Sequence, residues 1–162
     1  MSSITRSWVA FAAVGAGLIH LALVISAPTL VGILFAVVGV AEFGWGVLVV
    51  FDGRFLVPRI AVIAVLAPIA LWIAALVTAL DPDAFRPFPL AVATLLELFI
   101  AVAIGLSLRR GSEATTPGTG RLVIGLVAGA LVIGGLTAPA LGATEAGQFV
   151  APAGSFDEDG HH

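Results

Sequence analysis

The sequence predicts an all-α integral membrane protein, a bundle of five transmembrane helices, on three observations. First, 60% of its 162 residues are hydrophobic and 10% are charged, with a mean hydropathy of +1.16; a soluble domain has about 45–50% apolar and about 25% charged residues. A soluble fold of this length still exposes roughly a third of its chain's surface, too much to hide this apolar content. Second, the apolar residues fall into five runs, each near the ~20 residues a helix needs to cross about 30 Å of hydrocarbon. Third, no run alternates apolar and polar residues, so a membrane β-barrel is excluded.

The first run spans residues 8–26 and ends at Ala27-Pro28. A secretory signal has a shorter apolar core, of about 7–15 residues. The cleavage candidate Ile25-Ser26-Ala27 is followed by Pro28, so this run reads as a retained helix. The second spans 30–51 and stops at Asp52-Gly53-Arg54 and Pro58. The third, 60–80, contains Pro68, which removes a backbone hydrogen bond and predicts a kink; it ends at Asp81-Pro82-Asp83 with Pro87 and Pro89. The fourth spans 90–108 and ends at Gly111–Gly120 around Pro117; the fifth spans 122–141. Residues 1–141 therefore read as a single transmembrane domain, and 142–162 as an exported, acidic, flexible tail.

Arginine placement orients the chain. Arg6, Arg54, Arg59, Arg109, Arg110 and Arg121 fall on one side of a five-span topology, and Arg86 alone on the other. The positive-inside rule puts the N-terminus in the cytoplasm and the C-terminus outside. Trp8, Phe51 and Phe55 then mark the inner interface, and Phe85 and Phe88 the outer one.

Composition also excludes functions. There is no cysteine, which removes disulfides, thiolate metal sites and iron–sulfur clusters. The net charge is −3, with no basic stripe to bind nucleic acid. No nucleophile–base arrangement and no phosphate loop is visible, so an enzyme is not expected.

Three ionisable residues lie inside apolar runs: His20, Glu42 and Glu97. A charge at a bilayer centre costs about 2.5–3.5 kcal/mol on insertion scales, so such residues face the bundle. Each rides on small neighbours one or two turns away. These are Ala13, Ala16 and Gly17 for His20; Gly39 and Gly46 for Glu42; and Ala93, Thr94, Ala101 and Gly105 for Glu97. Counted from the outer ends of their runs, His20, Glu97 and Glu42 lie roughly 9, 12 and 18 Å deep. His20 and Glu97 are therefore expected to be the closest pair, near Trp72, with Glu42 one turn deeper.

Two readings follow. In one, the cluster handles a proton, a small cation or a divalent metal ion, for which two carboxylates and an imidazole are suitable groups. In the other, the protein is a structural or accessory subunit of a membrane complex, and the polar side chains only lock helices together. No cofactor beyond that metal ion is expected, and a lone intramembrane histidine excludes bis-histidine haem.

The fifth run carries Gly125, Gly129 and Gly134 at close-packing spacing, for contact within the bundle or with a partner in the bilayer. The tail residues Asp157, Asp159, His161 and His162 offer a weak transition-metal site beside the simpler reading of a solvated acidic terminus. The segment Thr137–Gly147, followed by His161-His162, resembles small polytopic bacterial membrane proteins of unassigned function with histidine-containing exported tails. The resemblance implies a multi-pass protein of the bacterial inner membrane and transfers no functional residue.

Overall fold

The computed structural model describes residues 2–52, 58–77, 86–110 and 118–149. Among the described residues there is no strand. The elements are α1 (Ser3–Leu23), α2 (Thr29–Asp52), α3 (Pro58–Val77), α4 (Pro87–Arg110), α5 (Thr119–Gly142) and the short α6 (Glu145–Gln148). Of these, α1, α2, α4 and α5 are long and apolar enough to cross a membrane, while α3 holds a shorter apolar stretch, Ile60–Ala70. The end of the expected third run, residues 78–80, lies outside the described residues.

The helices extend beyond their apolar runs for local reasons. α1 begins at Ser3 because the Ser2 hydroxyl accepts a hydrogen bond from the Thr5 N–H at 3.2 Å, capping the first turn. It ends at Leu23, where the chain turns toward Pro28. Pro87 and Pro89, expected to lie in a breaker, instead sit in the first turn of α4. The first four N–H groups of a helix have no intrahelical partner, so proline loses no bond there. α3 continues through Pro68 from Pro58 to Val77.

α1 is the hub. It packs against α2, α4 and α5, and its buried residues Val9, Ala10, Ala12, Ala13, Gly15, Ala16, Gly17, Ile19, His20 and Leu23 cover more than half of its circumference, with Leu18 on the open side. Small residues let several backbones approach one helix at once. The contact with α2 is backbone to backbone. A β-carbon on Gly39 would lie 2.8 Å from the Gly17 carbonyl oxygen and 3.0 Å from the Leu21 nitrogen. On Gly46 it would lie 2.8 Å from the Ala10 oxygen. These pairings, 17 with 39 and 10 with 46, make α1 and α2 antiparallel.

α5 runs parallel to α1. Gly125 faces Ile4, Gly129 faces Trp8, and Gly15 faces Ile133 and Thr137. Gly125 and Gly129 are therefore used inside the chain, while Gly134 has open space beside it. Trp8 packs on α5 and donates its indole N–H to the Gly125 carbonyl at 2.7 Å. A glycine face leaves room for the ring and exposes the carbonyl. Phe51 and Phe88 are exposed; Phe55 and Phe85 lie outside the described residues.

Arg86, at the entrance to α4, donates to the Ala143 carbonyl just beyond α5 at 3.1 Å. α4 therefore runs antiparallel to α5 and to α1. α3 packs on α4, where the Trp72 indole N–H donates to the Thr94 hydroxyl at 3.2 Å.

The start of the expected flexible tail is structured. Thr144 is fully buried and caps α6 by accepting from the Gly147 N–H at 3.1 Å. α6 packs against α1 and α5. A lone Thr followed by Glu145 carries the N-cap signal that an apolar-run criterion passes over. Asp157, Asp159, His161 and His162 lie outside the described residues.

The α1–α2 contact yields a direct test. Gly39→Ala forces its β-carbon against rigid backbone and is expected to destabilise the protein by about 1–3 kcal/mol. Gly44→Ala, with nothing within 4 Å, is expected to be neutral or slightly stabilising. Unfolding midpoints of the two variants in detergent read the difference.

Candidate functional site

His20 on α1, Glu42 on α2 and Glu97 on α4 meet in the bundle interior, with 2%, 7% and 1% of their surface exposed. Each reaches the interior because its helix turns a stripe of small or core residues inward. On α2 that stripe is Gly32, Phe35, Gly39, Glu42, Gly46 and Val49, spaced three and four residues apart as one helix face requires.

Each ring nitrogen of the imidazole faces one carboxylate, and the two carboxylates also approach each other within 4.8 Å. Its Nδ1 lies 2.8 Å from Glu42 Oε2, a hydrogen bond. Its Nε2 lies 3.7 Å from Glu97 Oε1, close but beyond hydrogen-bonding reach. With Glu42 ionised, Nδ1–H donates, and the Nε2 edge is left facing Glu97. Phe35 stacks on the ring, with centroids 5.7 Å apart and planes inclined by 25°, and so fixes the imidazole plane.

The closest pair is thus His20–Glu42, whereas equal depth pointed to His20–Glu97. The reason is the lean of helical side chains toward their own N-terminus. α1 and α2 are antiparallel, so His20 and a Glu42 one turn deeper lean toward each other. Glu97, on the antiparallel α4 and at nearly the depth of His20, leans the opposite way. Trp72, expected near the level of Glu97, donates to Thr94, one turn before Glu97 on α4.

Three buried oxygens have no hydrogen-bond partner among the described residues: Glu42 Oε1, Glu97 Oε1 and Thr137 Oγ1. Buried polar atoms are nearly always paired, so the two carboxylate oxygens mark capacity for a further proton or cation. The three side chains also offer one ligand atom each within 4.8 Å of one another. One nitrogen and two carboxylates suit a divalent transition metal. Nε2 and Glu97 would contact such an ion, with Glu42 orienting the ring through Nδ1 in the way carboxylates hold metal-bound histidines.

Sequence reasoning passed over Phe35 and Thr137. Phe35 was readable, since it lies seven residues before Glu42 on the same helix face. Thr137 was not, because its burial depends on Gly15 of α1, whose β-carbon would lie 2.7 Å from the Thr137 hydroxyl. Comparison with known protein families, with characterised proteins and with solved structures finds no match to this chain.

The His20–Glu42 bond predicts coupling. Glu42→Ala leaves the imidazole without its partner, so His20→Ala added on that background is expected to cost less than His20→Ala alone. The coupling should lie in the range of about 0.5–3 kcal/mol, read by a double-mutant cycle on unfolding in detergent. Glu42→Gln keeps an acceptor oxygen for Nδ1–H and should lose less stability than Glu42→Ala.

Proposed function

We propose that the protein is a five-span protein of the inner membrane that binds and passes a proton at the His20–Glu42–Glu97 cluster. Membrane insertion is supported by the outer surface of the bundle. Ile124 and Leu131 on α5 are each 71% exposed, and α2 and α4 carry exposed Val37, Val40, Leu95 and Val102. A contiguous apolar surface of this kind is covered by lipid or by a partner. Five crossings are supported by direction: α2 and α4 both run antiparallel to α1, so the chain between them returns along the bundle, where α3 lies. An N-terminus in the cytoplasm rests on the arginine bias.

The single observation that carries the proton reading is an imidazole with a different carboxylate facing each of its ring nitrogens. A proton arriving on one nitrogen can leave from the other without rotation of the ring. Two carboxylates against one imidazole also leave the buried cluster one positive charge short when all three are ionised. A buried charge must be paired, and a proton supplies the balance with the smallest rearrangement, because the Nδ1–Glu42 bond stays in place. The competing reading, a structural subunit, accounts for the 2.8 Å bond but leaves Glu97 Oε1 without a purpose.

Glu97→Gln separates the two. The amide is isosteric and keeps an acceptor, so the unfolding midpoint should change by less than about 1 kcal/mol in equivalent stability. Proton entry into liposomes carrying the protein, driven by a potassium diffusion potential and read by an entrapped pH dye, should fall at least about ten-fold relative to the native protein. Equal flux through the native protein and the Glu97→Gln variant, or no flux above empty liposomes, would contradict the proposal and leave the structural role.

A further inference from the structure

His20, Glu42 and Glu97 come from three separate helices, α1, α2 and α4. Each offers one ligand atom, and the three atoms lie within 4.8 Å of one another. The side chains are turned toward one another and are more than nine-tenths buried, so they enclose a point in the bundle core. Helix bundles build metal sites in this way, from side chains that project inward on facing helices.

Unpaired atoms and distances point to an ion independently. Glu42 Oε1 and Glu97 Oε1 are both buried without a hydrogen-bond partner among the described residues, a state that buried polar atoms rarely keep. Two ligands of one tetrahedral zinc ion, at bond lengths of about 2.0–2.2 Å, stand roughly 3.3–3.6 Å apart. The 3.7 Å between His20 Nε2 and Glu97 Oε1 is too long for a hydrogen bond and close to that spacing. The 2.8 Å between Nδ1 and Glu42 Oε2 is too short for two ligands of one ion, and stays as the hydrogen bond that holds the ring. Charge agrees with geometry. A divalent cation, two carboxylates and a neutral imidazole sum to zero, which leaves no unpaired charge in the bundle core. The nitrogen donor favours a transition metal over magnesium or calcium, which take oxygen ligands.

We infer that the cluster binds one divalent transition-metal ion, held by His20 Nε2 and Glu97 with Glu42 orienting the ring, and that the loaded site is closed to protons. The second half rests on the proton reading; the binding half does not need it. The ion occupies the Nε2 lone pair and the Glu97 oxygen that a passing proton uses, so ion and proton exclude each other. Burial of all three side chains means that the ion enters and leaves only when α1, α2 and α4 part. A metal once bound is therefore retained, and loading acts as a block on flux.

The test uses the full-length chain in lipid nanodiscs, with His161→Ala and His162→Ala so that the tail offers no imidazole. After incubation with excess zinc and gel filtration, elemental analysis is expected to find zinc in equal amount to protein; magnesium treated in the same way is not retained. Glu97→Gln and Glu42→Gln are isosteric and keep the fold, and each should lower zinc affinity at least about ten-fold. In liposomes, zinc loading of the same protein should reduce proton entry to that of empty liposomes, and magnesium should leave it unchanged. Failure to retain zinc, equal retention of magnesium, or zinc retention unaffected by Glu97→Gln would overturn the inference. So would undiminished proton entry through zinc-loaded protein. If zinc-free protein carries no protons at all, the proton reading fails by itself, and the metal site stands or falls on zinc retention and its loss in Glu97→Gln.

Discussion

A neutral bundle interior cannot hold three separate ionisable side chains, and the arrangement of α1, α2 and α4 follows from that constraint. His20, Glu42 and Glu97 are each almost fully buried. Isolated there, each would bear the full cost of lost hydration. Brought together, they exchange water for one another: a 2.8 Å bond from the imidazole to Glu42 and a 3.7 Å approach to Glu97. The same convergence fixes the helices. α1 supplies the imidazole, so it must touch both carboxylate-bearing helices, and its central position meets that demand.

The convergence is possible because the helices are smooth where they meet. Gly17 and Gly39 bring the α1 and α2 backbones into direct contact, and Gly46 repeats the contact one to two turns away at Ala10. On the other side, Gly15 gives way to Thr137, and Gly129 to the Trp8 ring. Close packing among membrane helices comes from such surfaces, since lipid removes the hydrophobic drive for association. The polar cluster and the glycine contacts are therefore one design: the small residues set the distance, and the distance sets the hydrogen bond.

Much of this was legible in the sequence. Runs of apolar residues located α1, α2, α4 and α5, because length and hydropathy are local properties of the chain. The small neighbours of His20 and Glu42 identified the faces that pack. Depth along the helix was a poorer guide to pairing, because it places Cα atoms and ignores the lean of the side chains. That lean joins His20 to Glu42 instead of Glu97. Gly105, read as part of the small stripe beneath Glu97, has nothing within 4 Å; the stripe around that residue ends sooner than its composition implies. The segment after Gly142 reads as tail by hydropathy, yet Thr144 and the Arg86 bond to Ala143 hold it on the bundle. The Arg86 contact joins residues 57 apart in sequence, a range that periodicity does not reach.

The central claim is that a single imidazole is engaged by a different carboxylate at each of its two nitrogens. Nitrogen-15 NMR of the His20 side chain in lipid bilayers tests it most directly, with His161 and His162 replaced by alanine so that one imidazole remains. The account predicts that Nδ1 carries a proton in a strong hydrogen bond. It further predicts that Glu42→Gln shifts chiefly the Nδ1 resonance and Glu97→Gln chiefly the Nε2 resonance. A ring whose nitrogens respond to neither substitution, or respond only to the same one, would contradict it.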